Sequence, residues 1–411
     1  MLFRSCTATT PTCTGGTISG STNIGVNLAN ANNVSLTRMR VRNSTHFGLR
    51  GATVAVLNVD TSVFDGTSGT GSLEGVFFVT NWLTSGTIGS SEILGGSGDN
   101  VNVHNSQGTL NRLTVSNTII RDNNTASGND GLNFSTILAP AAGSGVVMNI
   151  TVTGCTFQRH RGDHFQTDAQ GLSSMDVIFS SNTLSGGDPT TLGDTVLVSD
   201  SDSSHVTLDF NGNHINGALL SAYTFFQPNT TTATASLIGK FRNNFVGTTG
   251  VAGSGSAQGD GVAINATGLG TITMNVTGND IRQYAEFGIN MSAGDTSPHL
   301  NATVTGNTVK EPFSVNALQG IIVNAGITAA GTVVACADIG GAGALANNAT
   351  GAGGNGFSDF RLRQRNSSTV QLPGLTGAVD TFIQGRNTAG ATVTFTGTFG
   401  NNGGLPCPQA P

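Results

Sequence analysis

A six-residue motif recurring between residues 36 and 309 constrains the fold of this chain more than any other feature. The motif, here called the hexad, reads apolar, small polar, Gly/Asn/Ser, often Asn, polar, apolar. Its clearest copies are Val276-Thr277-Gly278-Asn279-Asp280-Ile281 and Val304-Thr305-Gly306-Asn307-Thr308-Val309. The same frame fits residues 152–157 (VTGCTF), 179–184 (FSSNTL) and 210–215 (FNGNHI), and looser copies start at Leu36, Val59, Ile88, Val115 and Phe241. Successive copies start 23 to 37 residues apart, with a mean just under 30. Such a period marks a repeat architecture, in which one repeat cannot bury its apolar face until the next is stacked on it.

Each hexad is followed, after a turn of variable length, by an apolar, often alternating stretch such as Val101-Asn102-Val103, Leu132-Asn133-Phe134, Val196-Leu197-Val198 or Ile289-Asn290-Met291. A third alternating stretch runs straight into the next hexad, as Met148 and Ile150 do before Val152, or Ile272 and Met274 before Val276. This is three short strands per repeat joined by Gly/Asn/Ser/Asp turns. A propeller blade needs a longer period, leucine-rich repeats need another consensus, and immunoglobulin-like arrays repeat at about 100 residues. A coil of three strands per turn fits, because insertions fall in the turns while the buried interior fixes the registers. Like residues then stack at about 4.8 Å. Phe157, Leu184, Ile215, Val246, Ile281 and Val309 are expected in one apolar column. Asn182, Asn213, Asn244, Asn279 and Asn307 form a second column, whose amides can bond along the stack and whose backbone tolerates a left-handed turn.

The VTGN-[DT]-[IV] hexads resemble the β-helix repeats of the pectate-lyase-like superfamily, particularly the repeat regions of large bacterial surface and secreted proteins. The resemblance covers roughly residues 20–330. It implies an all-β chain folded as a right-handed parallel β-helix solenoid, with about ten rungs of three strands. It is specific for fold and not for activity, since that superfamily holds lyases, hydrolases, epimerases, tailspikes and adhesin passengers. The expected division is 1–330 for the repeats and 331–411 for the last rungs with a C-terminal cap or linker. In that tail a strand is expected over 360–365, followed by Val379–Ile383 and an alternating stretch from Thr392 to Phe399.

Composition narrows the partners. Net charge is −6 and only two lysines are present, Lys240 and Lys310, so the basic stripe that nucleic-acid binding leaves is missing. No apolar run reaches the roughly 18 residues of a spanning helix. The start has no apolar core of signal-peptide length, and strand-like sequence begins soon after it, which reads as a segment cut from a longer chain. Of five cysteines, Cys6 and Cys13 are close enough to pair in a terminal loop, Cys336 with Cys407 is a weaker pairing, and Cys155 reads as a small core residue. Pairing would suit an extracellular or cell-surface location.

Two groups of residues invite a functional reading. Glu74, Asp99, Asp130, Asp163 and Asp194 stand just before the second strand on five successive repeats, and Asp260 recurs at that place later. Stacked one rung apart, neighbouring carboxylates repel by roughly 1–3.5 kcal/mol, so turn N–H donors, a cation such as calcium, or inserted loops must relieve them. Asx-type turn capping, calcium binding and catalysis all remain open for this column. The nonapeptide calcium-coil signature is absent. The second group is Arg159-His160-Arg161-Gly162-Asp163-His164. A polysaccharide lyase needs a base beside a uronate carboxylate and a cation to neutralise it, and Arg, His and a calcium-holding Asp can supply these parts. An ion pair between the arginines and Asp163 explains the same residues without catalysis. Arg161-Gly162-Asp163 also spells the integrin-type tripeptide, and Ser199-Asp200-Ser201-Asp202 is the nearest approach to the paired carboxylates of a glycosidase. With no complete catalytic set, the reading is a non-catalytic structural or adhesin-like segment of a larger bacterial protein. Its partner would be a polysaccharide or a host or cell-surface ligand. The alternative is a lyase or hydrolase acting on an acidic polysaccharide.

Overall fold

The computed structural model describes residues 2–4, 16–66, 76–123, 129–136, 145–187, 193–228, 232, 234–294, 298–314, 317–327 and 332–411. Glu74, Cys6 and Cys13 lie outside these residues. The described chain is nearly all β, with parallel strands stacked as a β-solenoid of about ten turns. It comprises two compact units, Met1–Val196 and Leu197–Pro411.

In the N-terminal unit the end of each hexad forms a short first strand. Strands Arg40–Arg42, Val63–Gly66, Glu92–Gly95, Ile119–Arg121, Thr156–Gln158 and Thr183–Ser185 pair in parallel. Their registers place Val41, Phe64, Ile93, Ile120, Phe157 and Leu184 in one column, and all six are fully buried. The pleat turns the two flanking residues of each strand outward, and polar residues fill these positions except at Val63, Leu94 and Ile119. Second strands at Val101–Asn105, Leu132–Ser135 and Phe165–Ala169 and third strands at Thr109–Ser116, Val147–Thr153 and Ser174–Ser180 stack likewise. Two earlier turns differ from the three-strand expectation. Second and third strands run together there as Leu49–Asp60 and Phe77–Gly89. A single residue in the left-handed region, Thr53 (φ 58°) or Asn81 (φ 68°), lies where a turn between strands was expected.

The C-terminal unit repeats the scheme. First strands His214–Asn216, Phe245–Val246, Asp280–Arg282 and Thr308–Lys310 stack Ile215, Val246, Ile281 and Val309. Pairing continues along second strands from Ile321–Ala325 to Phe360–Gln364 and Val393–Thr396, and along third strands from Val334–Ile339 to Thr369–Gln371 and Phe399–Gly400. Val379–Gly385 is a short helix that buries Val379 and Ile383, one turn apart on one face, and carries Asp380 in its positively polarised first turn. Cys336 and Cys407 form a disulfide, and beyond it Ala410 exchanges hydrogen bonds with the side chain of Asn275. Cys155 is a free thiol in the core. Among the described residues no helix is long and apolar enough to cross a membrane.

The hexad's polar positions have separate tasks. Its third residue adopts the left-handed conformation, as in Arg38, Thr61, Ser90, Asn117, Gly154 and Ser181 and then Gly212, Asn243, Gly278 and Gly306. This corrects the expectation that the fourth-position asparagines take that strain. Those asparagines instead point inward as a buried ladder. Asn213 donates to Asn244 Oδ1 at 2.9 Å, Asn244 to Asn279 at 3.1 Å, Asn279 to Asn307 at 2.8 Å, Asn307 to Asn347 at 3.0 Å and Asn347 to Asn387 at 2.9 Å. Each Oδ1 also receives the backbone N–H of the preceding asparagine, so a sharp turn is satisfied without water. In the N-terminal unit Ser62 and Ser91 do the same, accepting from the N–H groups of Met39 and Ser62, and Cys155 N–H donates to Asn182.

Tyr223 departs from this satisfaction. Tyr223 is fully buried against Phe225 and Phe241, and its hydroxyl has no hydrogen-bond partner among the described residues. Tyr223→Phe should therefore raise stability by about 1 kcal/mol, read as a shift of the denaturant midpoint at unchanged slope. An unchanged or lower midpoint would show that the hydroxyl is solvated or bonded after all.

Candidate functional site

The acidic column and the Arg/His cluster meet on one side of the N-terminal unit, in the turns that lead into second strands. Asp99, Asp130 and Asp163 are all more than nine-tenths buried. Asp99 Oδ1 accepts the backbone N–H of Asp130 at 3.1 Å, and Asp130 Oδ1 accepts that of Asp163 at 2.8 Å. Asp163 in turn accepts the backbone N–H of Asp194. The other oxygens of the first two take side-chain amides three residues on, Asn102 at 2.7 Å and Asn133 at 3.3 Å. Each carboxylate thus caps the turn stacked on it, whereas the Asx reading had it capping its own. Asp260 in the C-terminal unit caps Phe287 N–H at 3.1 Å and takes the Asn290 amide at 2.9 Å.

Burial is the main reason all three carboxylates are held above the usual range. Repulsion from Asp99 adds to it at Asp130, and repulsion from Asp130 and Asp194 adds to it at Asp163. The stacking requires small neighbours. A Cβ on Gly162 would lie 2.2 Å from Asp130 Oδ1, which explains the Gly before Asp163. Among the described residues no three His, Cys, Asp or Glu side chains converge as a metal ion would need. Since the carboxylate oxygens are already engaged by N–H donors, melting in calcium and in chelator should give the same midpoint. A rise of several degrees in calcium would place an ion on this column.

The Arg/His cluster divides between the inside and the outside of the wall. Arg159 turns outward and pairs with Asp122, which also pairs with Arg121, and Arg121 holds Glu92 at 2.6 Å. The ion pair expected between Arg159 and Asp163 is thus made with Asp122 instead. Arg161 is half-buried in the turn. His160 and His164 turn inward and are essentially fully buried, with ring centroids 4.7 Å apart. Their Nδ1 atoms share one hydrogen bond. The Asn100 amide donates to the Arg121 carbonyl at 2.9 Å, which orients it, and its Nδ2 lies 3.3 Å from His160 Nε2. His160 therefore carries its proton on Nδ1 and donates it to His164, whose Nε2–H faces the Ser185 carbonyl. Burial holds both imidazoles neutral, driving His160 well below its ordinary value and His164 down to about 3. Phe157 packs on both rings, and a Cβ on Gly131 would stand 2.8 Å from the His160 ring.

Asp200 and Asp202 part company as well, since Asp200 is fully buried and takes the Gln227 amide at 3.0 Å while Asp202 is exposed. The cluster is chemically a proton-ordered strut. Among the described residues it brings no carboxylate, cation and base together on an open surface. Sequence reasoning missed Asn100, whose only signal is its place after Asp99, and Asn347 and Asn387, where the hexad closes on small alanines, Ala349 and Ala389, in place of a large apolar residue. No known family model, no curated protein and no solved structure matches the chain.

Proposed function

We propose that this chain is a non-catalytic structural or adhesin-like β-helix segment of a larger bacterial protein, displayed at the cell surface or secreted. One observation carries the reading. The residues best suited to acid–base work, His160, His164, Asp130 and Asp163, are buried in the wall and bonded to one another's turns. Catalysis needs a base within reach of a substrate proton, and these groups offer no such access. The Cys336–Cys407 disulfide supports an oxidising, extracellular location. The relationship to pectate-lyase-like repeats belongs to the same proposal, supported by the parallel solenoid itself.

The test is incubation of the full chain with a panel of uronate-containing and neutral polysaccharides, with and without calcium. Unsaturated ends are followed by ultraviolet absorbance and new reducing ends by a colorimetric assay. No product above a heat-denatured control is expected. Turnover abolished by His160→Ala would replace this proposal with the lyase reading.

A further inference from the structure

We propose that Arg361, Arg363 and Arg365 form a binding site for a polyanionic glycan, whose oxyanions the three guanidinium groups engage along its chain. The inference rests on the adhesin-like reading and gives it a ligand class. Arg361 and Arg363 alternate with buried Phe360 and Leu362 on strand Phe360–Gln364, so both project from the same outer face. Two residues of strand separate them by about 7 Å. Arg365 follows just past the strand's end, and all three are half-buried.

The row differs from the arginines that hold a carboxylate; Arg40, Arg42 and Arg50 share its lack of an ion pair among the described residues, though Arg42 lies in register with Asp65. Arg112, Arg121, Arg159, Arg242, Arg282 and Arg386 each hold a carboxylate. Arg361, Arg363 and Arg365 make no ion pair among the described residues, although acidic side chains outnumber basic ones by 23 to 17 in the chain. The strands on either side carry Ile322, itself buried, and Asn324 at the matching register positions on one flank, and the exposed Thr394 and Thr396 on the other. Arg361 is braced by Thr396 Oγ1 at 2.6 Å, a neutral partner that orients the guanidinium and leaves its charge uncompensated. Like charges on one face repel, and Arg363 is held below its ordinary value by burial and by the charges of Arg365 and Arg361. A bound polyanion reverses that repulsion, and guanidinium forks match sulfate and carboxylate oxygens equally well.

A glycan suits the row better than a nucleic acid. Bases need aromatic platforms, and the residues in register with Arg361 and Arg363 are Ile, Asn and Thr; the exposed Phe395 stands in register with Leu362 and packs against Phe399. The net charge of −6 also opposes a long nucleic-acid footprint.

The full chain should be titrated calorimetrically in low salt with chondroitin sulfate, with polygalacturonate and with single-stranded DNA of matched charge. At least one of the two glycans should bind, and which one distinguishes sulfate from uronate as the anion. R361S/R363S should weaken it at least tenfold, while R242S should bind as the unmodified chain does. The melting midpoint of the double variant should be equal or higher, since repulsion is relieved. If that midpoint falls instead, R365S alone carries the test and should weaken binding about threefold, one charge-assisted contact being lost. Glycan binding unchanged in the variants, binding of neither glycan, or tighter binding of DNA would each overturn the site. Product formation in the same mixtures bears on the non-catalytic reading alone, so the two failures are distinguishable.

Discussion

Asn279→Ala should destabilise the C-terminal unit by about 4 kcal/mol, one of the largest effects available to a single substitution in this chain. Asn279 Oδ1 accepts both the backbone and the side-chain N–H of Asn244, at 2.9 and 3.1 Å. Its Nδ2 donates to the Phe241 carbonyl at 3.0 Å and to Asn307 Oδ1 at 2.8 Å. Alanine removes four hydrogen bonds together and strands donors of Asn244 where water cannot reach them. Buried groups left in this way cost about 1–3 kcal/mol each. Because a solenoid is held by neighbour-to-neighbour interfaces, the loss should appear as early unfolding of the C-terminal unit. Asn279→Ser should recover about half, since Ser62 and Ser91 fill the equivalent ladder position in the N-terminal unit. Denaturant titrations of the three proteins decide the matter. Equal midpoints for wild type and Asn279→Ala would mean that the amide ladder adds nothing.

Acidification should destabilise the protein through His160 and His164 by up to about 1.4 kcal/mol per pH unit for each histidine below pH 6.5. Both imidazoles stay neutral when folded, whereas in the unfolded chain they titrate near 6.5. Below that value the unfolded state binds protons that the folded state refuses. The contribution is thus fully present above pH 6.5 and is lost as pH falls toward the folded value, about 3 for His164. Asp99, Asp130 and Asp163 act in the opposite sense. Their folded values are raised, so the folded state takes up the proton first, and the stability present below the ordinary carboxylate range is lost as pH rises through the raised values. The two trends overlap, and comparison with His160→Leu/His164→Leu separates them. At pH 7.5 that variant should lie within about 2 kcal/mol of wild type, because both members of the pair are replaced by apolar groups of similar size. Between pH 7.5 and pH 5 the difference should move in the variant's favour by about 4 kcal/mol. A difference that does not change with pH would mean that the histidines titrate freely in the fold.

Much of the architecture was legible because the apolar period is physical. The column from Phe157 to Leu184 and that from Ile215 to Val309 stack as the hexad requires, since a slip of one residue would turn each buried side chain to solvent. The Asn column was legible for the same reason, though its left-handed neighbour was placed one position too late. The merged strands at Leu49–Asp60 and Phe77–Gly89 were not legible, because Thr53 and Asn81 look like ordinary strand residues until their φ is seen. Which way a polar cluster faces is not written in its composition. Arg159 and His160 are adjacent in sequence, yet one lies on the outer ion-pair network and the other inside the wall. The strand expected over 360–365 was found as Phe360–Gln364, but only its pairing showed which residues flank Arg361 and Arg363 on their outer face.

His160 and His164 are enclosed and neutral in the fold, and nitrogen NMR of histidine-labelled protein observes this directly. From pH 8 to pH 4.5 the His160 and His164 imidazoles should show neutral shifts that do not titrate, with the proton on Nδ1 of His160 and on Nε2 of His164. Assignment by single substitution separates them from the other five histidines. Titration of either ring near pH 6.5 would contradict the enclosed strut and return both residues to the surface as candidates for catalysis.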